Sequence, residues 1–80
     1  MMDTITLWDG RAVEVRFGRG RSPSLRRIEY REAAPTPGAW RVSPFSEADV
    51  AIPDTGKTRA QEALELVGEW LEWETIAERR

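Results

Sequence analysis

The last third of the chain, "TRAQEALELVGEWLEWETIAER" from Thr58 to Arg79, constrains the fold most. Apart from Gly68 it consists of good helix formers over about twenty residues. Thr58 and Gln61 stand at the spacing of a capping box, in which each side chain satisfies the other residue's backbone N–H. On a wheel of about 100° per residue, Ala60, Ala63, Leu64, Val67, Trp70 and Leu71 fall on one stripe. That stripe needs an apolar surface to lie on, and the rest of the chain must supply it.

The supply is a sheet. "TITLWDGRAVEVRF", residues 4 to 17, alternates like two strands around Asp9-Gly10, a strong hairpin signal. A two-residue loop would scatter the apolar side chains over both faces. A three-residue loop of Trp8-Asp9-Gly10, with Gly10 at positive φ, sets Ile5 opposite Val13 and gathers Ile5, Leu7, Val13, Val15 and Phe17 on one face. That register puts Trp8 at the hairpin tip. "SLRRIEYRE" (24 to 32) reads as a third strand with Ile28 and Tyr30 on one face and Arg27, Glu29 and Arg31 on the other. "AAPTPG" stops it, and "AWRVS" (39 to 43) forms a fourth strand with Trp40 and Val42 sharing a face. "PFSEADVAIPD" (44 to 54) is then a connection, with a brief extended piece at Val50 to Ile52 and Phe45 plugged into some apolar site.

The expected fold is α+β: an antiparallel sheet of about four strands, covered on one face by one long C-terminal helix. It is a single domain over 1–80, with strands within about 3–43, a connection at 44–57 and the helix at about 58–78. Eighty residues cannot divide their buried surface between two cores. A core so small gains from an oligomer, a homodimer being the simplest, or from a partner. The helix departs from a simple lid at two places. Glu74 lands in the middle of the apolar stripe and Ile76 on the opposite side, so the core-facing part is expected to finish near Trp73, with the tail fraying or projecting.

The chain has neither Cys nor His, which removes thiolate chemistry, the usual zinc ligands and the side chain best suited to proton transfer near neutral pH. "AIPDTGKT" (51 to 58) ends like a phosphate-cradling loop, yet Ala51 stands where the first glycine belongs and no strand follows to bring a magnesium-binding Asp. Carboxylate catalysis needs two acids aimed into one cleft, whereas Glu62, Glu65, Glu69 and Glu72 line a convex face. The expectation is therefore no enzyme, no cofactor and no metal. No run approaches the roughly 18 apolar residues of a membrane span, and the start "MMDTIT" lacks a leader's basic and apolar regions, which fits the cytoplasm of a host cell.

Charge is divided along the sequence. Residues 1–43 carry a net +3 and residues 44–80 a net −5. The positive pole centres on "RFGRGRSPSLRR", where Arg16, Arg19, Arg21, Arg26 and Arg27 occur without an acid. A chain with pI near 5.1 is not built as a dedicated nucleic-acid binder, so the patch reads first as a soluble connection and second as an ionic contact. The negative pole is the helix, where Leu66 and Trp73 sit beside Glu62, Glu65, Glu69 and Glu72. With Trp8, these are the candidate partner-binding residues, since partly exposed Trp anchors are what protein surfaces use for docking.

Two resemblances add to this reading. "GKTRAQEALELVGEWLEW" (56 to 73), preceded by "GAWRVSPF", resembles the sheet-then-helix portion of HicB-type antitoxins, with a Gly-x-Thr cap leading into Glu-Ala-Leu. Here the spacing is one residue longer and no strand follows the helix. The whole layout, tiny, cysteine-free and acidic with a sheet and one terminal helix, is similar to that of many phage-encoded anti-CRISPR proteins. That resemblance implies a stoichiometric inhibitor that binds a subunit of a CRISPR effector complex and blocks target DNA binding through an acidic helix face. The HicB likeness implies instead a regulator that uses the arginine-rich 16–27 loop on nucleic acid.

Overall fold

The computed structural model describes residues 4–22, 24–34, 36–50 and 56–78. Four strands, β1 (Ile5–Thr6), β2 (Ala12–Phe17), β3 (Arg27–Ala34) and β4 (Arg41–Ser46), form one antiparallel sheet in the order β1-β2-β3-β4. A single 3₁₀ turn, Glu47–Asp49, follows β4, and the helix α1 spans Arg59–Glu78. The α+β layout is the one the sequence pattern requires.

The hairpin register follows from the alternation of β1 and β2. Ile5 pairs with Val13, and the Leu7 amide donates to the Arg11 carbonyl at 2.8 Å around the three-residue loop. Gly10 supplies the positive φ, +91°, that lets the loop close. Asp9 stiffens the tip, its carboxylate accepting from the Arg11 backbone N–H at 3.1 Å and from Arg11 Nε at 2.7 Å. The backbone hydrogen bond from Arg11 is the main cause that holds the Asp9 carboxyl below its ordinary pKa.

One face of this sheet receives α1. Ile28, Ala63 and Val67 are fully buried between the two layers, with Val50 closing one end and Val15, Phe17, Tyr30, Phe45, Leu66, Trp70 and Leu71 packed around them. Trp70 is the aromatic hinge of the core: its ring meets those of Tyr30 and Phe45 edge-on at 5.5 and 6.1 Å. Gly68 sets how close the helix lies. A Cβ there would come within 3.0 Å of Ile5 Cδ1, so the glycine that costs helix propensity is what lets α1 seat on β1.

The N-terminus of α1 is closed by the expected capping box. The Thr58 amide donates to Gln61 Oε1 at 2.9 Å, and the Gln61 amide donates to Thr58 Oγ1 at 3.1 Å. Ala60, placed by the wheel on the apolar stripe, is exposed, because the first turn precedes the part of the helix that reaches the sheet. The helix stays intact through Glu78, and its last residues, Ile76 to Glu78, project into solvent.

The main correction to the sequence reading concerns β4. The strand covers Arg41–Ser46 rather than 39–43, so Pro44 lies inside a strand instead of opening a connection. The pairing shows how: Val42 faces Glu29 and Ser46 faces Arg27, which leaves Ser43, Pro44 and Phe45 opposite Ile28 alone. That bulge on an edge strand needs no ladder bond from Pro44. The buried Ser43 hydroxyl pins it by accepting the Phe45 amide at 3.2 Å, which turns the Phe45 ring toward Trp70. The third strand is likewise shifted to Arg27–Ala34, residues 24 and 25 belonging to the turn before it. The extended piece expected at Val50 to Ile52 lies, beyond the buried Val50, outside the described residues.

Leu64 is 6% exposed and lies with Ile5 toward the β1 side of the helix–sheet contact. Leu64→Ala is expected to cost about 2–5 kcal/mol in a urea or thermal unfolding measurement, as a core truncation does. A cost below about 1 kcal/mol would mean that another face of α1 packs on the sheet.

Candidate partner-binding surface

The outer face of α1 carries the candidate residues. From residue 60 to residue 78 the helix has six glutamates and no basic residue. Their spacing places Glu62, Glu65, Glu69, Glu72 and Trp73 on the side away from the sheet, with Ile76 continuing the row. Trp73 is 62% exposed and Ile76 41%, while Leu66 turns in far enough to pack against the core. Leu66 therefore supports the rim from beneath, and the projecting apolar groups are Trp73 and Ile76. Trp8, 50% exposed at the hairpin tip, is where the register puts it.

The glutamates differ in what they hold. Glu65 accepts Lys57 Nζ through both carboxylate oxygens, at 2.8 and 2.9 Å. That bond is the main reason the Lys57 pKa lies above its usual value. It also ties down the lysine of "TGKT", which serves the helix start together with Gly56 at φ +79° and the Thr58 cap. Among the described residues, Glu62, Glu69, Glu72, Glu74 and Glu78 form no ion pair. The sheet side is the reverse. Glu14, Glu29 and Glu47 are each paired with an arginine, and Glu32 lies 3.5 Å from Arg11.

This pairing dissolves most of the basic patch. Arg16 Nε donates to Glu29 at 2.6 Å, and its guanidinium lies 4.1 Å from the centre of the Trp40 ring. Arg31, bonded to the buried Glu14, lies 4.6 Å from the same ring. Trp40 thus reaches across the outer face of the sheet and binds two strands through cation–π contacts. Arg27 donates to the Pro44 carbonyl at 3.3 Å. Arg26 donates to Glu47 and, at 3.3 Å, to the Gly20 carbonyl. Of the five arginines in the 16–27 stretch, Arg19 and Arg21 alone are exposed with no partner among the described residues. The sequence reading missed the Trp40 cluster and the Glu47 clip. Alternation did show that Arg16, Glu29 and Arg31 share an outer face, but it carries no information on a tryptophan two strands away.

Among the described residues no group of three or more His, Cys, Asp or Glu side chains is placed to hold a metal ion, and no helix is long and apolar enough to cross a membrane. No family model matches the chain, and no curated protein or solved structure is found to be similar to it.

Glu47 joins three elements: Arg26 at the entry to β3, its own 3₁₀ turn, and Arg59 of α1 at 3.3 Å. The Arg26 hydrogen bond, working against partial burial and aided by the charges of Arg26 and Arg59, holds its carboxyl below the ordinary 4.5. A carboxyl depressed in the folded state contributes stability above its unfolded pKa and loses it as pH falls through the folded value. Denaturant unfolding from neutral pH down to about pH 3 is expected to show a shallower loss of stability in Glu47→Gln than in the parent. Equal slopes would show that the clip does not form.

Proposed function

We propose that the chain is a non-catalytic, protein-binding inhibitor whose contact surface is the outer face of α1, set against a basic surface of its partner. The observation that carries this reading is the row of glutamates on the outer face, of which Glu69 and Glu72 pair with no cation among the described residues, beside the exposed side chains of Trp73 and Ile76. Unpaired charges of one sign repel one another along a helix, and a complementary partner relieves that cost on binding. An exposed tryptophan bordering such a face is the residue type that carries binding energy in protein interfaces. The same glutamates stand on an open convex surface that does not desolvate them, which supports a binding rather than a catalytic role.

The partner this face suits is one that holds nucleic acid in a basic groove. With the likeness of layout to phage-encoded anti-CRISPR inhibitors, the reading extends to a CRISPR effector subunit in the cytoplasm of a host cell, blocked at its DNA-binding surface. A second reading, nucleic-acid binding or a HicB-like regulatory role through the 16–27 loop, rests on Arg19 and Arg21, since Arg16, Arg26 and Arg27 are engaged within the fold.

Capture of the partner from host lysate, compared across variants, separates the two. The combined change Glu69→Lys, Glu72→Lys and Trp73→Ala is expected to weaken capture by about thirtyfold or more, the effect of losing one interface hot spot. Arg19→Ala with Arg21→Ala is expected to leave it unchanged. The opposite pattern, together with salt-sensitive binding to DNA or RNA, would replace the inhibitor reading with the nucleic-acid one.

A further inference from the structure

The inner side of α1 poses a separate question. Glu74 and Glu78 continue the stripe that buries Ala63 and Val67, one helical step at a time, yet both are exposed. They line a cleft of about 420 Å³ between the C-terminal half of the helix and the sheet. Its apolar part includes Leu7, Val13, Tyr30, Trp70 and Leu71, and its sheet side includes Arg41. Arg41 is the register partner of Tyr30, so it lies on the helix-facing side of β4. The cleft thus has aromatic groups in its floor, with Glu74 and Glu78, unpaired among the described residues, on the helix wall and, on the sheet wall, the likewise unpaired Arg41 beside the Arg11–Glu32 pair and Arg31, which is held by Glu14.

These opposite charges do not close on each other. Among the described residues, Arg41, Glu74 and Glu78 take part in no ion pair. Charges of opposite sign that share a small cleft and stay more than 4 Å apart leave a gap with a donor side and an acceptor side. A simple anion would meet the two glutamates, a simple cation would meet Arg41, and an apolar molecule would leave all three charged groups facing it. The volume is within the range of small-molecule sites, but the lining here is more polar than apolar, so placed charges rather than apolar burial select what it holds.

We propose that this cleft binds a small zwitterion with a flat apolar body, the class of the free aromatic amino acids. Its carboxylate lies on Arg41, its ammonium on Glu74 and Glu78, and its ring on Tyr30 and Trp70. The site is on the opposite side of α1 from the glutamate–Trp73 face and stands whether or not that face binds a protein.

An NMR titration of the whole chain tests it, with L-phenylalanine and L-tryptophan as zwitterions and phenethylamine and 3-phenylpropionate as singly charged controls. The expected result is saturable shifts at the Trp70 indole N–H and the Gly38 and Thr75 amides, which line the cleft. Each control is expected to bind about tenfold more weakly than L-phenylalanine, since a charge-assisted hydrogen bond is worth upwards of that factor. Arg41→Ala should lower the affinity for L-phenylalanine to that for phenethylamine while leaving phenethylamine unchanged. Glu74→Gln with Glu78→Gln should do the converse with 3-phenylpropionate. All three positions are exposed, so the variants retain the fold. Absence of saturable shifts with both amino acids, equal affinity for zwitterions and controls, or shifts confined to the outer face of α1 would each overturn the proposal.

Discussion

A single helix, about 10 Å across with its side chains, must cover four strands spaced about 4.8 Å apart. The rest of the molecule follows from that mismatch. α1 lies against β1 and β2, seated by Gly68 on Ile5, and its apolar stripe meets Val15 and Ile28. The part of the sheet it does not reach is handled in two ways. At one end Phe45, turned in by the β4 bulge, packs against Trp70 and extends the core sideways. At the other end the two layers part, and polar side chains occupy positions that would otherwise be interior. Glu32, Arg41 and Glu74 are all on inner-facing positions, and all line the cleft.

The division of charge has the same origin in geometry. On a flat sheet, alternation brings Arg16 opposite Glu29 and Glu14 opposite Arg31, and each pair closes. Trp40, laid over both arginines, then shields part of the sheet face opposite the helix. The outer side of α1 has no facing element and, after Arg59, no cation of its own in the described helix. Glutamates placed there have only Lys57 within reach, and it takes Glu65. The chain's net negative charge is therefore concentrated on one convex surface, whereas the positive charges of its first half are largely spent inside the fold.

What the sequence made legible was whatever depends on near neighbours. The hairpin register could be chosen because a slip by one residue would have moved Ile5, Leu7, Val13 and Val15 to opposite faces. The Thr58–Gln61 box and the stripe through Val67 and Leu71 are set within a few residues of one another. The fourth strand was misplaced because Pro44 reads as a stop, and the bulge that tolerates it depends on the Ser43 hydroxyl and on the edge position, neither of which is a local pattern. Leu66 was read as part of an exposed strip, whereas the width of the core, which only the packed sheet defines, draws it inward. The partners of the arginine stretch are not legible locally for a similar reason: its acids lie elsewhere in the chain, at Glu29 and Glu47. The anomalous placement of Glu74 on the apolar stripe was visible at once, but the cleft that accounts for it exists only between two finished layers.

The Pro44 bulge has a consequence for how copies of this protein meet. An open sheet offers its outermost strands as templates on which another chain can add, the first step toward swapped or fibrillar assemblies. Here one margin is a strand of two residues, and the other is interrupted by an imino acid and bent out of register. Neither presents an unbroken row of backbone donors and acceptors. Among the described residues, both margins are therefore poor templates for strand addition, which leaves the side chains on the faces as the better surface for contact between copies.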